Sequence, residues 1–492
     1  MAARRQHALC PPYGGNKEAL GWALNGAARM IAFVGPGVFL ATAIINLAKK
    51  EAGCVLEIPE GSSNAPECNE RIYGLRPSSF ITTYGTVVGL ISAVCLPVVG
   101  AVLDHTRRRR LVGLVSSMIH IACMFAQIFL TENNWFMMVL IQIVAALAGW
   151  MHTLAVYAYL PELTDDPDLL VSWTANFQMI QYASLLLFLM YMLGILYATG
   201  YNDDDILSAR ISMISSTAIA MPSYLWTWMG LMKARDAFHP LPEGSSLWTI
   251  GFQRVYNTSK KICGRYRALM WFLINVMIVE AGQASIASIA LTYLTDTLQM
   301  STAENGIAIL LLFAFGILGA LVAKKSVNFM NPIYSNQLCQ VVTGANTAIA
   351  VIILYGPGQQ IQAYIVASVW GICAGWKICI ERFTICQIIP KNQDAELMGF
   401  YLFSSQVLIW FPTLIFTAMN EAGVNQRAGL SILIAFFLGG IVSLWMMGPY
   451  EEAVSLAREE SDMLHDQSNI VEQELDEVEK STDGNGKMSI CE

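Results

Sequence analysis

Twelve long apolar stretches decide what this chain can fold into. Each approaches or exceeds the roughly 20 residues that one α-helix needs to cross a hydrocarbon layer. They run approximately Leu20–Leu47, Ser79–Leu103, Leu111–Leu130, Trp135–Leu160, Ser172–Thr199 and Leu207–Met232 in the first half of the chain. The second six are approximately Ala268–Leu294, Ala303–Ala323, Ile333–Tyr355, Ile361–Ile389, Met398–Met419 and Ala428–Met447. Inside a bilayer every backbone N–H and C=O must find its partner within the protein, so such stretches become helices. Of the 492 residues, 55% are hydrophobic and only 13% charged, against about 25% charged in a soluble domain. The expectation is an all-α integral membrane protein with twelve transmembrane helices in two six-helix halves. The first stretch is too long for a signal-peptide core of about 7–15 residues. It reads as a retained span, bent or unwound at Gly35-Pro36-Gly37.

The polar segments set the organisation: an N-terminal tail (1–19), a first half (20–232), a basic amphipathic linker (233–267), a second half (268–448) and an acidic tail (449–492). The net charge of −8 belongs to that last segment, where 13 acidic residues face 3 basic ones. It therefore implies no nucleic-acid partner, though the tail is a candidate surface for a cytosolic protein. With the N-terminus in the cytosol, 17 basic residues fall on the cytosolic side before the tail and 6 on the other. That bias predicts both termini inside. The linker carries Trp248, Phe252 and Val255 among Arg254, Lys260, Lys261, Arg265 and Arg267, the pattern of an interfacial helix beside an anionic leaflet. Cys54 and Cys68 share the longest loop of the opposite face. A disulfide and two free thiols both remain open readings, because spacing does not fix connectivity. Cysteines and histidines show no zinc-ligand spacing, and no phosphate-binding glycine loop or nucleophile elbow occurs in a fitting context. No enzyme, cofactor or metal is expected.

Five charged residues lie well inside the spans: Arg29, Glu280, Lys377, Glu381 and Arg382. A charge at the bilayer centre costs at least ~2.5–3.5 kcal/mol on insertion scales, so its default reading is a partner or a water-filled pathway. Lys377 and Glu381, four apart on one helical face, can neutralise each other. Arg29 and Glu280 have no local partner. The five together predict a pathway for a small polar solute, with Glu280 the candidate proton carrier.

The stretch Gly100-Ala-Val-Leu-Asp104-His-Thr-Arg107-Arg108-Arg109-Arg110 resembles the loop after the second helix of major facilitator superfamily transporters. Gly319-Ala-Leu-Val-Ala323-Lys324-Lys325 repeats its layout half a chain later, the weak internal symmetry of a transporter built from two repeats. The resemblance implies a major facilitator fold working by alternating access. In it Gly100 would allow close helix packing, and Asp104 with Arg107–Arg110 would form a gating latch. It also puts Arg29 and Glu280 at equivalent positions around a central cavity, facing each other or holding opposite ends of a zwitterion.

Further stretches resemble one branch, the autophagy-associated vacuolar effluxers and their bacterial relatives. These are Gly21-Trp22; Tyr159-Leu160-Pro161-Glu162-Leu163 followed by Ser172; and Gly375, Arg382 and Ile389-Pro390 running into Asp394-Ala-Glu396-Leu-Met-Gly399-Phe-Tyr401. That likeness implies amino-acid efflux from a vacuole or lysosome. The chain departs from the branch at Gly26, where an aspartate is usual, and at Ala281-Gly282, where Asp-Gly is usual, with Glu280 just before. The rival readings are a cation-coupled sugar or lipid symporter, and a transporter-like receptor or scaffold that moves nothing.

Overall fold

The computed structural model describes residues 15–54, 68–164, 167–201, 204–237, 246–389 and 394–459. The acidic tail from Glu460, most of the N-terminal tail and Pro390 lie outside the described residues. The helices are α1 (Lys17–Phe33), α2 (Gly35–Glu51), α3 (Phe80–His105), α4 (Arg109–Gln127), α5 (Trp135–Ala158), α6 (Pro167–Thr199) and α7 (Asp205–Trp226), then the linker helix α8 (Leu247–Arg265). They continue with α9 (Arg267–Asp296), α10 (Thr302–Ser326), α11 (Pro332–Ile353), α12 (Gln360–Ile388), α13 (Asp394–Val407), α14 (Trp410–Glu421) and α15 (Gln426–Met447).

Eleven spans among the described residues are long and apolar enough to cross a bilayer. The twelfth expected span, α7, is diluted by Ser208, Ser212, Ser215, Ser216 and Thr217, all of them buried. It packs against α1, α2 and α4, where small side chains let helices approach closely. The Ser216 hydroxyl turns back onto the helix, donating to the Ser212 carbonyl at 2.7 Å, and that of Ser208 donates to the Tyr201 carbonyl at 2.9 Å.

Two spans are broken. The first breaks at Val34, which ends α1 and starts α2. Pro36 lacks the N–H that would continue the ladder, as Gly35-Pro36-Gly37 led us to expect. The eleventh, expected as one helix, divides into α13 and α14 around Leu408 and Ile409. Pro412 is the cause: it donates nothing to the Leu408 carbonyl, and its ring crowds that oxygen. The Ser285 hydroxyl, on α9, donates to the Ile409 carbonyl at 3.3 Å. The loosened backbone is thus re-satisfied by a neighbouring helix, as a membrane interior requires.

Buried apolar side chains gather by half. One cluster runs from Ala19 to Met232, joined by Leu291 and Ile309. The others are built from residues of the second half and the adjoining ends. Polar contacts between the halves gather at the face opposite the described termini. There Lys49 pairs with Asp296 at 2.6 Å, which also accepts from Gln426. Asn305 donates to Thr42 at 3.2 Å, and Thr302 donates to Asp205. A seam of small polar side chains joins α3 and the short turn before it (Pro77–Ser79) to α14. Thr86 donates to Thr413 at 3.0 Å, Thr417 to Thr82 at 2.7 Å, and Asn420 to Ser78 and Ser79 at 2.9 and 2.7 Å. At the same face Cys54 and Cys68 form a disulfide.

Candidate functional site

At mid-depth α9 and α12 bring three charges together. Glu280 sits midway along the 30-residue α9, and Lys377 and Glu381 are one turn apart on α12. The Lys377 ammonium donates to Glu280 and lies 3.3 Å from Glu381. The side chains of Lys377 and Glu381 are each 2% exposed, whereas Glu280 is 25% exposed. Glu280 is therefore the member open to the space between the helices, and the other two are sealed behind it. One oxygen of Glu381 has no hydrogen-bond partner. The local Lys377–Glu381 pair read from the sequence is present. Glu280, which had no partner in sequence, is supplied with one by the neighbouring helix.

Arg29 does not meet Glu280. From α1 it donates to Thr153 on α5 at 3.3 Å and to Gln181 on α6 at 3.1 Å. Arg382 turns from α12 towards the first half and donates to Gln178 at 3.4 Å. Tyr157, Tyr182 and Tyr401 lie within electrostatic reach of Arg382, and Tyr401 also of Glu280, Lys377 and Glu381. Gln178, Gln181 and these tyrosines were not among the pathway residues that the sequence singled out. Their signal was weak, because a glutamine in a span is most often packing.

The latch residues are spread over several partners. Asp104, at the end of α3, pairs with Arg254 of α8 rather than with the arginines that follow it. Arg107 meets Asp236 at 2.9 Å, fully in solvent. Arg108 is exposed, and its backbone N–H donates to Thr106. Arg109 is wholly buried, donating to the Leu103 carbonyl at 2.7 Å and to Glu162 at 2.6 Å. Glu162 also meets Arg235, which holds Glu18 at 2.6 Å. Arg110 caps the end of the sixth span, donating to the Trp228 and Met229 carbonyls at 2.6 and 2.7 Å. The cluster thus ties α1, α4, α5 and the linker into one unit, with Asp104–Arg254 as its link to α8. That pair is partly exposed, and pairs of that kind contribute about 0.2–1 kcal/mol. A double-mutant cycle of Asp104→Ala and Arg254→Ala in thermal unfolding is expected to return a coupling in that range, shrinking in 1 M salt.

Two glycines separate from expectation. A Cβ at Gly100 would meet nothing within 4 Å, so the close packing expected there is absent. At Gly26 a Cβ would stand 2.3 Å from the Phe177 ring, which stacks on Trp22. The carboxylate usual in the resembled branch has no room here.

A helical bundle sealed at one face, with a charge cluster of the second half at mid-depth, defines a membrane carrier of the major facilitator fold. Solved transporters share the architecture. The E. coli xylose transporter XylE in an inward-open conformation matches with TM-score 0.61 at 11% identity, covering 89% of this chain and 98% of that one. The nucleoside transporter NupG (D323A mutant) matches with TM-score 0.58 at 11% identity, covering 88% and 100%. A D-xylose–proton symporter matches with TM-score 0.58 at 13% identity, covering 88% and 96%. No curated protein matches by sequence. The chain belongs to the vacuole effluxer Atg22-like family, whose profile matches residues 14–452. It is a multi-pass membrane transporter.

Proposed function

We propose that the protein exports a small polar solute, an amino acid foremost, by proton-coupled alternating access across a vacuolar or lysosomal membrane, with both termini in the cytosol. The family description and the excess of basic residues on the face of the termini support that setting. The observation that carries the mechanism is the Glu280–Lys377–Glu381 cluster. Two carboxylates share one ammonium, and of the three only Glu280 is partly exposed. Glu280 exchanges a proton with the cavity. Uncharged, it releases Lys377, which stays paired with Glu381 on its own helix. The ionic tie between α9 and α12 opens, and the second half becomes free to rearrange around Arg29 and Arg382. Asp104 with Arg254, and Arg107 to Arg110 with their partners, hold the first half and the linker in register while Gly100 leaves slack beside them.

The test is flux through proteoliposomes holding the purified protein, with a labelled amino-acid panel, xylose and uridine, each with and without a pH gradient. Saturable amino-acid flux is expected. Its proton dependence should be lost in Glu280→Gln and its rate lowered in Asp104→Ala. Flux of xylose or uridine alone would replace the amino-acid reading with a sugar or nucleoside one. No flux of any probe would remove it.

A further inference from the structure

Arg29 and Arg382 approach the same short length of α6 from opposite halves. Arg29 donates to Gln181 and Arg382 to Gln178. These glutamines are three apart, so they project from one helical face with Cβ atoms roughly 5–6 Å apart. The two guanidinium groups therefore flank one length of α6, one from each side of the boundary between the halves. Each is half-buried, and among the described residues neither has a carboxylate within 4 Å. The carboxylates nearest in the fold, Glu280 and Glu381, are engaged with Lys377. Counted together, the site holds three cations against two carboxylates. A guanidinium inside a membrane protein that is held only by neutral groups, Arg29 by Gln181 and Thr153 and Arg382 by Gln178, keeps N–H donors to spare and its charge unmatched. Two such forks brought to one length of α6 suit the oxygens of one anion.

We propose that Arg29 and Arg382 form a two-armed clamp for an anionic group of the cargo, a carboxylate or a phosphate, with Gln181 and Gln178 holding the arms in place when it is empty. The assignment deepens the transport reading above and rests on it for the word cargo, but the anion site stands or falls separately. Because one arm belongs to α1 and the other to α12, a bound anion bridges the halves. It thereby favours their approach on the side where the polar contacts of the opposite face do not act.

The experiment uses the full-length chain purified in nanodiscs and reads the melting temperature and probe affinity at constant ionic strength. The probes are alanine, alaninamide and inorganic phosphate, with chloride as the ionic control. Alanine or phosphate is expected to raise the melting temperature in a saturable way while alaninamide and chloride do not. Arg29→Gln and Arg382→Gln are each expected to weaken that binding at least tenfold, with unliganded melting close to wild type. Arg29→Lys and Arg382→Lys should bind at intermediate affinity, which separates a lost charge from a lost fold. Binding of phosphate without alanine would keep the clamp and assign it to a phosphorylated cargo. Equal binding of alanine and alaninamide, unchanged affinity in the glutamine variants, or no binding of either anion would overturn it. If the clamp binds alanine while amino-acid flux is absent, the transport reading fails and the site remains.

Discussion

Lys377→Met is expected to abolish transport and to lower the unfolding stability by about 3–5 kcal/mol. The reason is the position of the ammonium. It is sealed from solvent between Glu280 and Glu381, so its removal leaves two carboxylates facing each other with no cation in contact. Breaking a buried pair from one side is far more destabilising than replacing the whole group, because the charge left behind keeps its desolvation cost. The triple variant Lys377→Met, Glu280→Gln, Glu381→Gln is therefore expected to recover most of the lost stability and none of the transport. Thermal unfolding of the purified variants and flux in proteoliposomes give the two readouts. Wild-type flux in Lys377→Met would remove the cluster from the transport machinery.

Gly375→Leu is expected to prevent assembly of the second half. Here α10 and α12 cross with backbone against backbone. A Cβ built at Gly375 would lie 1.9 Å from the Gly316 carbonyl oxygen, one at Gly319 2.0 Å from that of Ile372, and one at Gly371 2.1 Å from that of Leu312. Overpacking costs typically ~1–3 kcal/mol where a side chain can step aside. At this crossing the obstacle is another helix's main chain, so the two helices must separate along their length. The loss would include the weak Cα–H···O contacts that such close passages permit. Gly375→Ala should lower the melting temperature measurably, and Gly375→Leu should yield no monodisperse protein on size exclusion. Gly100→Ala serves as the contrast, since nothing stands near its Cβ, and it should behave as wild type. Equal yields for Gly375→Leu and Gly100→Ala would show that the crossing tolerates separation.

Much of the architecture was legible because a bilayer leaves so few alternatives. Span length and the break at Gly35-Pro36-Gly37 follow from local rules that act within a few residues. Pro412 obeys the same rules, and reading its span as one helix ignored them. What the sequence did not disclose depends on which helices become neighbours. Glu280 and Lys377 are 97 residues apart, and nothing local to either names the other. Asp104 was assigned to the arginines beside it in the chain, yet helix geometry aims those arginines at α5, the linker and the end of the sixth span, leaving Asp104 to Arg254. The absence of an aspartate at Gly26 was visible from the start. The Phe177 ring that fills the space beside it was not. Gln178 and Gln181 matter through the arginines that reach them from two other helices, a property that no spacing along α6 encodes.

The join between α3 and α14 has a bearing on how the molecule responds to its surroundings. Its bonds run between hydroxyls and an amide, on Thr82, Thr86, Ser78, Ser79, Thr413, Thr417 and Asn420. None of these groups gains or loses a proton between roughly pH 4 and 9. Each bond has a net worth of about 1 kcal/mol, because water takes over both ends when it parts. The closure resembles a row of press-studs more than a bolt: each fastening yields separately, at little cost, and re-forms unaided. This part of the closure is indifferent to the acidity of the space it excludes. The other fastenings of that face, Lys49 with Asp296 and Thr302 with Asp205, engage carboxylates, so the closure combines two kinds of chemistry.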